Sequence, residues 1–253
     1  MNKSHLKEVD FRKSQQNNAS IAVCQLEIGG LHLCRPGVDI SAGSYAQIKN
    51  RIKRVISEIK LQDIDAIVFP ECSIPYDMID YLIEESYKKS CIIIAGTHYF
   101  KKNGNYISRS PVIFPDGKVY YSEKLHLSPF EKSAVGEEEW LSPGEVRYIF
   151  RNTNIGSFMV LICADLLTPD VEEEVHACKV DMVFVVACQK KSRKDHLTKL
   201  ANICRGSSNG LYCFFSNLVT ENNDSGESAI FGIVDNIFHK EFKKYGISNM
   251  EPE

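Results

Sequence analysis

The chain has 253 residues, of which 43% are hydrophobic, and its net charge is −3 from 30 basic and 33 acidic side chains. This size and composition are typical of a folded domain with a substantial core, which disfavours a disordered chain. The near balance of charge disfavours a nucleic-acid or anionic-membrane partner, and no apolar run is long enough to span a bilayer.

The first half of the chain alternates short apolar runs with helical patterns. The polar segment 1–18 is predicted to be a flexible arm, and because it lacks the apolar centre of a signal peptide we expect a cytoplasmic protein. Apolar runs predict buried strands, and apolar residues at helical spacing predict helices. The predicted strands are 21–26, 66–69 and 91–96, and the predicted helices are 45–59 and 78–89.

The second half of the chain mixes a hairpin with further strand–helix alternation. The turn Pro115-Asp116-Gly117 predicts a β-hairpin between strands 107–114 and 119–124. Further strands are predicted at 147–150, 156–162, 182–187, 211–216 and 229–234, and further helices at 169–177 and 196–209. Because no linker interrupts this pattern, residues 19–253 are predicted to form one α/β domain with mixed sheets and outer helices.

Nine cysteines are present, and no two of them form a CxxC pair. Most lie in apolar, strand-like contexts, which is typical of small buried thiols in a reducing compartment. Zinc ligands usually come in closely spaced pairs, so no metal site is predicted.

Two charged side chains follow apolar strands, at the sheet edge where α/β proteins build their sites. Glu71 follows Pro70 at the end of a buried strand and is either a general acid–base in a cleft or a capping or solvated glutamate. Lys124 ends the hairpin and either holds charge developing on an oxygen or lies in solvent. His126 is a weaker candidate base, because a histidine between leucines is more often a hydrogen-bonded structural residue.

A cysteine occupies a third strand end. Cys163 follows the apolar run 159–162 and precedes the helix predicted near Pro169, which has the shape of a nucleophile elbow. Backbone N–H groups at such a turn lower the pKa of a thiol and stabilise an oxyanion. A buried structural cysteine is the alternative interpretation.

Taken in order, these three features resemble the motifs of the carbon–nitrogen hydrolase (nitrilase) superfamily. The motifs read FPE at 69–71, KLHL at 124–127 and LICADLLTPD at 161–170, and the spacings between their key residues are similar to those of the family. Segments 21–25, 110–121 and 204–209 resemble the family's first strand, hairpin and late helix. The resemblance covers about residues 19–234 and implies a four-layer αββα sandwich, with a carbon–nitrogen hydrolase domain at 19–253.

The resemblance also implies a Glu–Lys–Cys triad that needs neither a metal nor an organic cofactor. In this sequence Glu71 would be the acid–base, Lys124 the oxyanion stabiliser and Cys163 the nucleophile that forms an acyl-thioester. The backbone N–H of Ala164 would be a second oxyanion donor. A further glutamate usually orients the lysine; Glu131 fits best by spacing, and the competing residues are Glu137, Glu138 and Glu139.

The implied reaction is hydrolysis of a non-peptide carbon–nitrogen bond in a small amide or nitrile, with an amidase favoured and a homodimer or larger assembly expected. Three positions depart from the family pattern and bear on the substrate: Ala164, Leu167 and Ser208. The candidates for substrate contacts are His98, Phe130, Trp140 and Gln189. The alternatives are a nitrilase, a carbamoylase, an acyltransferase to an amine, or an interaction or sensor module whose catalysis is altered.

Overall fold

The computed structural model describes residues 4–13, 18–26, 42–59, 63–96, 99–129, 131–132, 141–189, 194–207, 210–219, 226, 228–234 and 237–241. The strands in chain order are β1 (Leu6–Asp10), β2 (Ile21–Val23), β3 (Ala66–Val68), β4 (Ile92–Ile94), β5 (Phe100–Lys102), β6 (Asn105–Ile107), β7 (Arg109–Ile113), β8 (Val119–Glu123), β9 (Arg147–Thr153), β10 (Gly156–Ile162), β11 (Met182–Ala187), β12 (Tyr212–Asn217), β13 (Ala229–Val234) and β14 (Ile237–Glu241). The α-helices are α1 (Ala42–Ile59), α2 (Ile79–Lys89), α3 (Val171–Cys178) and α4 (Lys194–Gly206), and 3-10 helices span Tyr76–Met78 and Cys163–Leu167.

The strands form two large mixed sheets and a small two-stranded one. The larger sheet has the order β1-β9-β10-β11-β12-β13-β14, and the smaller one has the order β2-β3-β4-β7-β8. In the larger sheet β10, β11 and β12 are parallel neighbours, and in the smaller sheet β2, β3 and β4 are parallel. The separate pair is β5 with β6.

The smaller sheet lies between the larger sheet and a layer of helices, and its side chains point alternately to these two neighbours. Successive side chains of a strand point to opposite faces. Ala66 and Val68 of β3 therefore pack in one apolar cluster with the strands of the larger sheet, whereas Ile67 packs in a second cluster with α1 and α2. On the far side of the larger sheet, α3 and α4 contribute Val175 and Leu200 to the first cluster. The result is a four-layer αββα sandwich, as the resemblance implied.

Helix α1 shows how the sequence selects the outer layer. Ile48, Ile52 and Ile56 recur every four residues, so they form one stripe along the helix. All three are buried against the smaller sheet, and the basic residues between them face outward. None of the helices in the described part of the chain combines the length and apolar character needed to cross a membrane.

The segment predicted as a flexible arm is in part a strand. Leu6–Asp10 form β1, which pairs with β9 in parallel at the edge of the larger sheet. Leu6 and Val9 pack against the core, and the ring of Phe11 stacks on Phe114 with centroids 4.2 Å apart. The prediction is therefore corrected for these residues: the polar neighbours hid three apolar side chains that gain from burial at the sheet edge.

The helix α4 buries a histidine whose ring has no hydrogen-bond partner among the described residues. His196 is 2% exposed, and both of its ring nitrogens are unpaired. Burial lowers its pKa to about 4. Because the unfolded chain binds a proton near pH 6.5 and the folded chain does not, stability is lost as the pH falls from about 6.5 to 4.

We therefore expect His196→Leu to reduce the loss of unfolding free energy that the wild type shows as the pH falls. At pH 4 the variant should regain up to about 3 kcal/mol relative to the wild type, and the gain should vanish at pH 8. Urea unfolding at several pH values measures this. His126→Gln is the control of opposite sign, because a hydrogen bond with Asp165 raises the pKa of His126 and its contribution to stability is greatest in acid. If the unfolding free energies of wild type and His196→Leu changed with pH in parallel, burial of a neutral His196 would not be the cause of the acid sensitivity.

Candidate active site

The site lies where four strands end at the same edge of the two sheets. Glu71 follows β3, Lys124 follows β8, Cys163 follows β10, and Gln189 follows β11. The paired registers run β8 and β3 in the same direction, and β10 beside β11 in parallel, so their carboxyl ends meet. This is the edge at which open α/β sheets build their binding crevices.

Glu71 is buried, and its position depends on a glycine. The carboxylate is 3% exposed, and its Oε1 accepts hydrogen bonds from Lys124 Nζ at 2.9 Å and from Ser108 Oγ at 3.3 Å. A Cβ on Gly96 would lie 2.2 Å from the carbonyl oxygen of Pro70 and 2.4 Å from the Cα of Glu71. Only glycine lets the segments after β3 and β4 approach so closely, and this approach fixes the position of the Glu71 backbone.

Lys124 lies between two carboxylates with only 2% of its surface exposed. Its Nζ donates to Glu71 at 2.9 Å and to Glu131 at 2.7 Å. Its backbone N–H donates to the carbonyl of Ser108 at 2.9 Å, which fixes the strand end that carries it. A buried ammonium needs such partners, because an unpaired buried charge is strongly unfavourable.

Glu131 is held in place independently of the lysine. Its Oε2 accepts the backbone N–H of Ser128 at 2.7 Å, and its Oε1 faces Lys124. It is 4% exposed. Among the glutamates that the sequence left open, the structure brings Glu131 to Lys124, whereas Glu137, Glu138 and Glu139 lie outside the described residues.

Cys163 occupies a sharp strand-to-helix turn. Strand β10 ends at Ile162, the 3-10 helix begins at Cys163, and Cys163 itself has a left-handed backbone with φ of 48°. Residues other than glycine or asparagine adopt this region only under constraint, and such strain is common at functional sites. The elbow predicted from the sequence is present, with the 3-10 helix inserted before the predicted helix.

The thiol of Cys163 has polar neighbours on two sides. Besides burial, the Glu71 carboxylate raises the pKa of this thiol, and the backbone N–H of Cys188 opposes that shift, so both groups lie close to the sulfur. The side-chain Nε2 of Gln189 lies 2.6 Å from its sulfur. Glu71, Lys124 and Cys163 therefore meet at one place, and Gln189 is the predicted substrate contact that the structure brings there.

Burial and the neighbouring charges set the resting protonation of the site. Burial, followed by the Glu71 carboxylate, raises the pKa of Cys163 to about 12, with Lys124 opposing. Burial raises the pKa of Glu71 as well, against the lowering effect of Lys124. Burial alone would lower the pKa of Lys124, but Glu71, Cys163 and Glu131 together raise it well above its ordinary value. The resting site thus holds a neutral thiol beside a charged ammonium.

A buried aspartate links the segment that follows β8 to the turn that carries Cys163. Asp165 is fully buried, and its Oδ1 accepts the backbone N–H groups of Leu125 at 3.0 Å and His126 at 2.9 Å. Its Oδ2 lies 3.2 Å from the guanidinium of Arg147. The ring of His126 also contacts Asp165 at 3.2 Å, which agrees with a hydrogen-bonded structural histidine.

We expect Asp165→Asn to destabilise the protein by about 3–5 kcal/mol, because it removes one member of a buried ion pair and turns an amide donor towards N–H donors. The measurement is the urea midpoint. Asp170→Asn is the matched control: the same chemical change at an exposed position should stay within about 0.5 kcal/mol of wild type. Equal midpoints for the two variants would show that Asp165 does not hold the strand and the elbow together.

The remaining predicted residues have mixed outcomes. Ala164 is half-buried in the 3-10 helix that follows Ile162. The predicted substrate contacts that lie outside the described residues are His98, Phe130 and Trp140.

The sequence analysis missed two residues of the site. Ser108 carries no local signal. Cys188 directly follows strand β11, so a search for reactive residues just after strands would have found it. No cluster of three or more potential metal ligands occurs within the described ranges.

Comparisons with known proteins agree with this architecture. The sequence model of the carbon-nitrogen hydrolase family matches residues 20–233. The chain is 24% identical over 166 residues to Probable hydrolase YhcX of Bacillus subtilis, covering 63% of this chain but only 31% of that protein. The chain thus spans about a third of the length of that relative.

Two solved structures share the fold. The NitN amidase of Nesterenkonia sp. AN1 superposes with a TM-score of 0.65 at 14% identity, over 85% of each chain. Nit3 of Saccharomyces cerevisiae, a member of branch 10 of the nitrilase superfamily, gives a TM-score of 0.62 at 19% identity, over 84% of this chain and 81% of Nit3. Because the family model matches most of its length, the chain belongs to the carbon–nitrogen hydrolase family.

Proposed function

We propose that this protein hydrolyses a non-peptide carbon–nitrogen bond in a small amide, with Cys163 as the nucleophile, Glu71 as the acid–base and Lys124 as the oxyanion stabiliser. The observation that carries the proposal is the buried Lys124 ammonium, held between Glu71 and Glu131 beside the Cys163 thiol. The ion pairs with Glu71 and Glu131 would suffice for a structural lysine, and neither requires a position beside the thiol. A lysine that stabilises developing negative charge must lie there.

The first step activates the thiol. The Glu71 carboxylate lies close enough to Cys163 to raise the pKa of its thiol, so it can take the proton as the sulfur attacks the carbonyl carbon. The raised pKa of Glu71 makes it a stronger base than an ordinary carboxylate. The raised pKa of Cys163 keeps the sulfur protonated until a substrate arrives, which is consistent with proton transfer and attack in one step.

The second step breaks the carbon–nitrogen bond. The carbonyl oxygen gains negative charge in the tetrahedral intermediate, where Lys124 Nζ and the backbone N–H of Ala164 would stabilise it. Glu71 then gives its proton to the leaving nitrogen, and an acyl-thioester remains on Cys163. Glu71 then takes a proton from water, whose oxygen attacks the thioester carbon. The carbon–sulfur bond breaks to release the acid, and Glu71 returns the proton to the sulfur of Cys163.

An amide is favoured over the other substrate classes on two grounds. The leaving nitrogen of an amide needs a proton, and Glu71 is placed to deliver the one it has just taken from Cys163. The fold is also shared with the NitN amidase. Transfer of the acyl group to an amine uses the same thioester and differs only in the second nucleophile.

The test is a panel of small amides, nitriles and carbamoyl amino acids, followed by ammonia release and by intact mass of the protein. We expect ammonia from an amide and a transient acyl adduct that maps to Cys163. Addition of hydroxylamine separates the two fates of the thioester, because an acyltransferase would favour the hydroxamate over the acid. No adduct with any member of the panel, although Cys163 is alkylated by iodoacetamide, would oppose the proposal.

A further inference from the structure

The side chain of Gln189 reaches the nucleophile from the strand beside β10. Strand β11 pairs in parallel with β10 and ends at Ala187, two residues before Gln189. The side-chain Nε2 of Gln189 donates a hydrogen bond to the sulfur of Cys163. A carboxamide is uncharged, so it supplies a donor that does not depend on protonation, unlike the ammonium of Lys124. The proposed cycle uses this contact in none of its steps.

One buried asparagine holds the backbone of Gln189 on both sides. Asn217 is the last residue of β12 and is 0% exposed. Its Oδ1 accepts the backbone N–H of Gln189 at 2.8 Å, and its Nδ2 donates to the carbonyl of Gln189 at 3.1 Å. Both backbone hydrogen-bonding groups of Gln189 are therefore bound by a single side chain, which fixes the point from which the glutamine side chain starts.

The chemistry of this contact requires an asparagine. The amide of Asn217 carries one oxygen and two hydrogens, and its Nδ2 also donates to the carbonyl of Gly226 at 2.8 Å. An aspartate would accept the N–H of Gln189 but would turn its charge towards two carbonyl oxygens. The backbone N–H of Asn217 in turn donates to Ser228 Oγ at 3.0 Å. A buried polar network whose members all have partners is rigid, so Asn217 is a firm support.

We infer that Gln189 is a further catalytic residue, whose amide N–H stabilises the sulfur of Cys163 as it gains negative charge, and that Asn217 is the positioning residue that holds it there. The inference rests on the proposed function, since it concerns the attack by the same thiol. As Glu71 takes the proton, the sulfur becomes negative before its electron pair forms the bond to the carbonyl carbon. A hydrogen bond to a charged acceptor is stronger than one to a neutral acceptor, so this contact strengthens in the attack.

The same donor acts again when the thioester is hydrolysed. The carbon–sulfur bond then breaks, and the sulfur carries negative charge until Glu71 returns the proton to it. The N–H of Gln189 stabilises this leaving sulfur as it stabilised the attacking one. Lys124 and Gln189 therefore act on different atoms, the lysine on the substrate oxygen and the glutamine on the sulfur.

An uncharged donor is suited to a thiol that stays protonated at rest. Burial, followed by Glu71, raises the pKa of Cys163 to about 12. The nucleophilicity of a thiolate falls as its pKa falls. A second cation beside the sulfur would lower that pKa and make the thiolate less reactive, whereas a carboxamide adds a hydrogen bond without a charge.

The experiment compares wild type with Gln189→Met and Gln189→Glu, because the three side chains are similar in size. The readout is the rate at which iodoacetamide alkylates Cys163 at pH 8, followed by peptide mass. Loss of a hydrogen bond to a charged group raises a thiol pKa by about one to two units, and the greater nucleophilicity of the more basic thiolate offsets about half of the effect. We expect alkylation to be about 3- to 10-fold slower in Gln189→Met. Gln189→Glu should be slower still, because its carboxylate repels the thiolate.

The positioning role of Asn217 is tested in two backgrounds. Asn217→Ala, or the milder Asn217→Ser, should slow alkylation of the otherwise wild-type protein but change nothing in Gln189→Met, where no donor is left to position. Gln25→Met is the matched control. Gln25 is exposed and accepts the backbone N–H of Ser228, so it contacts the same segment as Asn217 without contacting the sulfur. This variant should be alkylated at the wild-type rate.

Turnover adds a second readout. With the best amide of the panel, Gln189→Met should lower kcat by about the same factor as alkylation and leave KM unchanged. An alkylation rate equal to that of wild type would overturn the inference, and a raised KM with that unchanged rate would make Gln189 a substrate contact only. Equal effects of the Asn217 variants in both backgrounds would show that Asn217 supports the fold and not Gln189.

Failure of this inference and failure of the proposed function give different results. The alkylation measurement does not require turnover. The expected order of alkylation rates in a protein that hydrolyses no member of the panel would reject the proposed function alone. Amide hydrolysis at Cys163 with equal alkylation rates in wild type and Gln189→Met would reject the role of Gln189 alone.

Discussion

Replacing Cys163 with alanine is expected to abolish turnover and the acyl adduct together. The proposed cycle passes through a covalent thioester, so removal of the sulfur removes the intermediate rather than weakening a contact. Cys163 occupies the left-handed elbow at the end of β10, close to the Glu71 carboxylate that raises the pKa of its thiol. The measurement is ammonia release with the best amide of the panel, alongside intact mass.

Cys72→Ala is the matched control, because Cys72 directly follows Glu71 and is equally buried. Its side chain packs against Tyr99 and Leu141, and burial, followed by Glu71, raises its pKa well above the ordinary value. Unlike Cys163, Cys72 does not begin a helix directly after a strand, the arrangement that presents a nucleophile at an elbow. We expect this variant to keep most of its turnover. An acyl adduct on Cys72, or full activity in Cys163→Ala, would show that Cys163 is not the nucleophile.

Periodicity predicted most of the fold because each layer imposes its own spacing. The runs 156–162, 182–187 and 229–234 were predicted as strands with the bounds that the structure has. Every residue of Met182–Ala187 is buried, as expected for a strand covered on both faces. Strand β1 escaped prediction because its pairing with β9 joins residues about 140 positions apart, and its own letters are mostly charged.

The site was predictable to the extent that its residues follow strands. Glu71, Lys124 and Cys163 each follow a strand, and the resemblance orders them. Their partners come from topology instead: Ser108 reaches Glu71 across 37 residues, and Asp165 reaches Leu125 across 40. A serine and an aspartate in those positions look like ordinary polar residues until the sheet brings the segments together. The charge balance around Lys124 is likewise a property of the folded chain.

That balance makes Lys124→Met the most informative single change. Methionine fills a similar volume without charge, so Glu71 and Glu131 would be left buried within reach of each other and without their shared cation. Two such carboxylates cannot both remain ionised, and one takes up a proton. We expect a loss of about 3–5 kcal/mol of stability, as when one partner of a buried ion pair is removed.

Turnover of Lys124→Met should also fall, because the oxyanion loses the ammonium group as a hydrogen-bond donor. Removal of one such donor typically lowers kcat about 100- to 1000-fold, and protonation of Glu71 would add to this by removing the base. Lys102→Met is the matched control: Lys102 also pairs with carboxylates, Glu123 and Glu145, but it is partly exposed. Surface pairs contribute about 0–1 kcal/mol, so this variant should resemble wild type in both measurements.

The double variant Lys124→Met/Glu131→Gln separates the structural role of the lysine from its catalytic role. Removing the Glu131 charge relieves the repulsion that the single variant creates, so part of the lost stability should return in urea unfolding. Turnover should not return, because the double variant still lacks a cation at the oxyanion. If kcat recovered together with stability, Lys124 would act only by keeping Glu71 and Glu131 ionised, and the charge on the substrate oxygen would have to be stabilised by backbone N–H groups alone.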